Sequence, residues 1–114
     1  MADVHKTALV HPKAQLAENV QVSPYAIIEE GVTIDENSWI GPHVLLAKGS
    51  KIGKGCRIFT GAVIGTIPQD LKFEGEETSV EIGDRTVVRE YCTLNRGTKD
   101  RMKSQIGENC LLMA

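Results

Sequence analysis

Val22-Ser23-Pro24-Tyr25-Ala26-Ile27-Ile28-Glu29-Glu30-Gly31-Val32-Thr33-Ile34-Asp35-Glu36-Asn37-Ser38-Trp39-Ile40 decides the fold. The branched aliphatics Val22, Ile28, Ile34 and Ile40 recur every six residues, and a small or β-branched residue precedes each by two: Val20, Ala26, Val32 and Ser38. An α-helix cannot hold this pattern on one face, because six residues turn through about 600° and end some 120° away. A strand keeps alternate residues on one face. The spacing therefore fits short strands separated by turns, with both rows pointing inward.

Outward from that stretch the rows run on in one frame. The aliphatic row starts at Val4, Val10 and Leu16 and continues through Leu46, Ile52, Ile58 and Ile64. It resumes at Ile82, Val88, Leu94, Ile106 and Leu112, and of nineteen positions in phase only Asp70, Glu76 and Asp100 break it. The small row runs from Ala2 to Cys110 and is interrupted only by Pro68 and Glu74. Three such hexapeptides close one triangular coil, and coils stack at the ordinary strand spacing of about 4.8 Å. The reading is an all-β chain: a parallel β-helix, or triangular prism, forming a single domain over residues 1–114.

Composition agrees. A chain of 114 residues suits one core, and with aromatics at only 4% that core must be narrow and aliphatic. A net charge of −2 argues against nucleic acid, which calls for a concentrated basic patch. No run reaches the ~18 apolar residues of a membrane span, and no N-terminal targeting pattern is present, so a soluble, cytoplasmic protein is expected. Cys56, Cys92 and Cys110 form an odd set without a C-x-x-C pair and fall in the inward small row. They read as core thiols, with no disulfide framework and no metal.

Where the rows break, charge separates. From Thr66 to Asp84 six acids (Asp70, Glu74, Glu76, Glu77, Glu81, Asp84) face Lys72 alone. From Arg85 to Lys103 six bases (Arg85, Arg89, Arg96, Lys99, Arg101, Lys103) face Glu90 and Asp100. The breaks predict an extruded loop near residues 66–79 and a second irregular loop near 97–104. After Leu112 only Met113 and Ala114 follow. A solenoid needs a terminal cap, so the chain reads as lacking later coils and a C-terminal cap.

The run Gly65-Thr66-Ile67-Pro68-Gln69-Asp70-Leu71-Lys72 is followed by Glu81-Ile82-Gly83-Asp84-Arg85, Arg89-Glu90, Arg96-Gly97-Thr98 and Leu111-Leu112-Met113. This ordered set resembles the N-terminal portion of the bacterial UDP-N-acetylglucosamine O-acyltransferases, the family that opens lipid A biosynthesis. The resemblance spans essentially the whole chain. It implies a left-handed coil and a cytoplasmic homotrimer with active sites between neighbouring subunits. The implied reaction moves a (R)-3-hydroxyacyl group from acyl carrier protein to the 3-hydroxyl of UDP-N-acetylglucosamine, without cofactor or metal. A histidine acts as general base on that hydroxyl, which attacks the thioester directly.

By the motif match Asp70 binds the sugar, Lys72 supports the substrate or the developing oxyanion, and Gln69 lines the pocket. A carboxylate suits a sugar hydroxyl, and an ammonium suits phosphate or an oxyanion. Arg96, Lys99, Arg101 and Lys103 become candidate contacts for the acidic carrier protein. Two departures stand out. Asn95 occupies a place where the family often has histidine. The family's catalytic histidine is expected beyond Ala114, since His5, His11 and His43 lie on the N-terminal coils in unrelated contexts.

Three other readings compete. One is another hexapeptide acyltransferase, which the Gln69–Lys72 context disfavours. Another is a carbonic anhydrase on the same prism, for which the three histidines lack a plausible zinc-binding spacing. The third is a non-catalytic truncated β-helix.

Overall fold

The computed structural model describes residues 2–48, 50–66, 79–95, 103–106 and 111–112. In chain order its strands are β1 (Asp3–Val4), β2 (Leu9–Val10), β3 (Gln15–Leu16), β4 (Gln21–Val22), β5 (Ile27–Ile28) and β6 (Thr33–Ile34). They continue as β7 (Trp39–Ile40), β8 (Leu45–Leu46), β9 (Ser50–Ile52), β10 (Arg57–Ile58) and β11 (Val63–Thr66). After the first interruption come β12 (Ser79–Ile82), β13 (Val87–Val88), β14 (Thr93–Asn95), β15 (Lys103–Ile106) and β16 (Leu111–Leu112).

Every third strand shares a face. The first face is ordered β1-β4-β7-β10-β13-β16, the second β2-β5-β8-β11-β14 and the third β3-β6-β9-β12-β15. All the pairings are parallel, and in the regular coils a residue pairs with the one eighteen further on, as Gln21 with Trp39 and Ile28 with Leu46. Eighteen is three hexapeptides, one turn of the prism.

The interruptions change that interval by whole hexapeptides. Ser50 pairs with Val80, thirty residues on, which is one coil plus two hexapeptides. Ser79 pairs with Lys103, twenty-four on, which is one coil plus one hexapeptide. Asp70 and Glu76 are the two missed beats of the first segment and Asp100 that of the second, so the three breaks in the sequence account for both intervals. The first interruption spans residues 67–78, within the predicted 66–79, and the second spans 96–102, starting one residue and ending two residues before the predicted 97–104. Thr66 ends β11, Ser79 begins β12, and β15 already starts at Lys103. Pairing of Thr66 with Asn95 of β14 draws Thr66 into the second face, and pairing of Ser79 with Lys103 draws both into the third.

The inward rows form the core. Ile28, Ile34, Ile40, Leu46, Ile52, Ile58 and Ile64 are buried, as are Val20, Ala26, Val32, Val44, Cys56, Ala62 and Cys92 from the small row. Each buried aliphatic contributes about 1.5–3 kcal/mol, a term that no set of exposed ion pairs matches. Val4 is 38% exposed because its coil has a neighbour on one side only. Polar members of the small row are satisfied inside: the Ser38 hydroxyl donates to the Gly53 carbonyl at 2.7 Å and accepts from the Cys56 amide at 3.0 Å.

The corners use a slot that recurs every six residues. Asn19, Tyr25, Gly31, Asn37, His43, Gly55, Gly61, Arg85 and Tyr91 all adopt positive φ, between 57° and 76°. That left-handed conformation turns the chain between faces, and it suits glycine and asparagine best. His43 is thus a corner residue, as its position after Gly41-Pro42 suggests, and His5 and His11 are exposed.

Candidate functional site: one edge carries both interruptions

Segment 67–78 joins β11 to β12, and segment 96–102 joins β14 to β15. Each therefore connects a strand of the second face to one of the third, on successive coils. Their roots are hydrogen-bonded neighbours: Thr66 pairs with Asn95, and Ser79 pairs with Lys103. The roots of the two segments are accordingly neighbours at one edge, about 4.8 Å apart.

The sequence-predicted residues Gln69, Asp70, Lys72, Arg96, Lys99 and Arg101 lie outside the described residues. Lys103 opens β15 at the root of the second segment. What the structure adds is the frame that launches the first segment.

At the end of β11 the register with β14 slips. Val63 pairs with Thr93 and Ile64 with Leu94, but the next pair is Thr66 with Asn95, leaving Gly65 as the extra residue of a β-bulge. A bulge bends the strand that carries it. Gly65 is buried with φ +86°, a conformation open to glycine and strained for other residues. Below it sits Ser50, fully buried, whose hydroxyl lies 2.7 Å from the Ala47 carbonyl and 3.2 Å from the Ile64 carbonyl. The Ala47 amide also donates to the Ile64 carbonyl at 2.7 Å. A Cβ on Gly65 would overlap the Ser50 hydroxyl and come within 3.2 Å of the Ala47 carbonyl oxygen. Nothing in the inward rows singled out this brace, since Ser38 and Thr86 are buried polar members of the same row.

Lower on the same edge the Glu29 carboxylate accepts the Lys48 amide at 3.1 Å, and Lys13 and Lys48 each stand 3.8 Å from Glu30. These carboxylates rim a groove of about 480 Å³ whose floor is Leu9, Val10, Ile27 and Ile28. Its lining is chiefly apolar, which suits contact with another apolar surface more than chemistry.

The histidines do not converge. His5 and His43 lie by the edge between the first and second faces, where the His43 ring stacks on Tyr25 at 5.2 Å. His11 follows β2 on the interrupted edge, three coils below Gly65, or about 14 Å at the usual strand spacing. Among the described residues no group of three or more His, Cys, Asp or Glu is arranged to hold a metal ion. Opposite the interrupted edge, the Arg57 and Arg89 guanidinium groups lie 5.9 and 4.9 Å from the Phe59 ring, and Trp39 meets that ring edge-on. The Arg89 side chain also holds the Glu90 carboxyl below the usual carboxylate range.

Known proteins share both the sequence and this fold. Residues 31–66 match the bacterial transferase hexapeptide family, six repeats, and the match stops at Thr66, the root of the first interruption. The acyl-[acyl-carrier-protein]–UDP-N-acetylglucosamine O-acyltransferase of Chlorobaculum parvum is 49% identical over 100% of this chain and 43% of its own length. That of Chlorobaculum tepidum is 52% identical with the same coverage. A UDP-N-acetylglucosamine acyltransferase from Bacteroides fragilis superimposes with a TM-score of 0.95 at 46% identity, over 96% of this chain and 43% of that one.

Over its whole length the chain matches the N-terminal portion of UDP-N-acetylglucosamine O-acyltransferases. It is a left-handed parallel β-helix and spans less than half the length of these relatives.

Proposed function

We propose that this chain forms the nucleotide-sugar-binding part of an acyltransferase. The enzyme moves a (R)-3-hydroxyacyl group from acyl carrier protein to the 3-hydroxyl of UDP-N-acetylglucosamine, the first step of lipid A biosynthesis in the cytoplasm. The observation that carries the reading is the ordered set of segment motifs from Gly65–Lys72 to Arg96–Thr98, in a chain 49% identical to an enzyme named for this reaction. Asp70 accepts hydrogen bonds from the sugar, Gln69 lines the pocket, and Lys72 places positive charge by the substrate or the developing oxyanion. Arg96, Lys99 and Arg101 of the second segment, with Lys103 at its root, meet the acidic carrier.

The general base is a histidine outside this chain, a reading supported by the distance of His11 from Gly65 and by the far edge that holds His5 and His43. Assembly as a homotrimer is supported by the second face, where Leu9, Ile27, Leu45 and Val63 form an outward row in register from coil to coil. Leu9 is 66% and Ile27 40% exposed. Such a contiguous apolar strip marks a contact surface.

Calorimetry with UDP-N-acetylglucosamine tests the reading. Wild-type chain is expected to bind, and Asp70→Asn to weaken binding at least tenfold while leaving the circular dichroism unchanged. Equal affinity for the two proteins would sink the assignment of Asp70.

A further inference from the structure

We propose that the first coil carries a pH-sensitive clasp, in which the neutral rings of His5 and His11 hold the corners on either side of β2 and acid releases them. The inference concerns the scaffold and is independent of the substrate.

On the later coils the corner amide donates to a backbone carbonyl of the coil before it: Asn37 to Glu18, His43 to Pro24, Gly61 to Pro42 and Tyr91 to Thr60. In the first coil the same slot falls to Thr7 and Lys13, which do not adopt positive φ, and their amides turn back to a side chain instead. Thr7 donates to Nδ1 of His5 at 3.2 Å, and Lys13 donates to Nδ1 of His11 at 3.0 Å. The carbonyls of the same two histidines accept the Ala8 and Ala14 amides at 3.0 and 2.9 Å. Each histidine therefore closes its corner twice, once through backbone and once through the ring. Asparagine and aspartate side chains close turns in the same way, by bonding the backbone two residues on. A ring nitrogen does so only while it keeps its lone pair.

That condition fixes the charge state. A backbone amide only donates, so Nδ1 is the acceptor and the ring proton sits on Nε2. At His5 the Thr7 hydroxyl lies 2.9 Å from Nδ1 and accepts the Tyr25 amide at 3.1 Å, which joins the ring to the coil above. A protonated ring can still donate to that hydroxyl. It cannot accept the Thr7 amide, and flipping the ring does not help, because both nitrogens then carry protons. Both rings are exposed, so a proton reaches them without opening the fold. Histidine changes charge between about pH 5 and 8. The clasp is therefore complete where the rings are neutral and is lost as pH falls.

The surroundings rank the two corners. At His5 the titratable groups are Asp3 and Lys6 of its own segment, the Tyr25 phenol of the coil above and the His43 ring stacked on it. The opposite charges of Asp3 and Lys6 offset each other. His11 shares its groove with Glu29, Glu30 and Lys48, and Lys13 follows two residues on. A protonated ring gains carboxylate partners there, so the larger loss falls at His5. Between the corners lies β2, whose Leu9 is 66% exposed and forms part of the groove floor. Releasing the corners loosens that wall.

Amide exchange read by NMR at pH 8 and pH 5, each corrected for the intrinsic rate at that pH, tests the clasp. In wild type the protection of Thr7 and Leu9 is expected to fall at least fivefold from pH 8 to pH 5, while that of Trp39 and Leu45 in later coils changes less than twofold. His5→Asn supplies an acceptor that does not titrate and is expected to keep the pH 8 protection at both values. His5→Phe supplies none and is expected to show the low protection at both. Equal wild-type protection at the two pH values, a fivefold fall that persists in His5→Asn, or full protection in His5→Phe would overturn the proposal. A fall shared equally by Trp39 and Leu45 would mark general acid unfolding and overturn it as well.

Discussion

Gly65→Ala is the sharpest test of how the first segment is launched. Two costs are separable in the structure. The first is conformational: Gly65 sits at φ +86°, and holding an L-residue in the left-handed region costs about 1–2 kcal/mol. The second is steric: the new Cβ collides with the Ser50 hydroxyl, which must leave its contacts with Ala47 and Ile64. A buried group left without its hydrogen bond costs about 1–3 kcal/mol. Together these give on the order of 2–5 kcal/mol, or roughly 10–20 °C in melting temperature for a domain of this size. Gly31→Ala and Gly55→Ala are the controls. Gly31 has φ +76° with nothing within 4 Å of an added Cβ, and Gly55 has φ +63° with only the Arg85 Cγ at 3.5 Å. Each should show the conformational cost alone, about 1–2 kcal/mol. The assay is thermal and urea denaturation of all three variants side by side. If Gly65→Ala loses no more stability than Gly31→Ala, the brace beneath the bulge carries no load and the steric argument fails.

Three further outcomes follow from the packing. Ile40→Asp puts an unpaired charge at a position that is 0% exposed, and is expected to abolish soluble, folded protein by expression yield and circular dichroism. Ser38→Ala strips the Cys56 amide and the Gly53 carbonyl of their hydroxyl partner and should cost about 1–3 kcal/mol in urea melts, with no change in fold. Burial raises the Cys56 thiol above its ordinary value of 9.0, so the folded state holds the proton longer than the unfolded chain. Its contribution is therefore complete below that value and is lost as pH rises through the folded one. Ser at position 56 should flatten the alkaline limb of a stability–pH curve measured against wild type, and an unchanged limb would count against burial as the cause.

Most of the fold was legible because every coil asks the same question of its residues. One aliphatic and one small side chain must fill the prism per strand, so Val22, Ile28, Ile34 and Ile40 report the architecture without any knowledge of long-range pairing. The turn slot was harder to read. Gly31, Gly55 and Gly61 advertise the left-handed position, but Tyr25, Arg85 and Tyr91 share it against their intrinsic preference, since the packed faces on either side fix the corner. Conformation there is imposed by tertiary structure and leaves no trace in residue type.

The candidate site residues lie outside the described residues, but the roots of the two interruptions were computable from the sequence. Asp70 and Glu76 remove two hexapeptides and Asp100 one, which leaves β11 and β14 as the strands preceding the breaks. Strands three apart share a face, so the strands preceding both segments had to be neighbours on one face. The residues expected to meet the carrier and those expected to bind the sugar are then rooted one strand spacing apart, through Thr66 with Asn95 and Ser79 with Lys103. The Gly65 bulge and the Ser50 hydroxyl had no comparable signature, because register slips are properties of a strand pair and not of either strand alone.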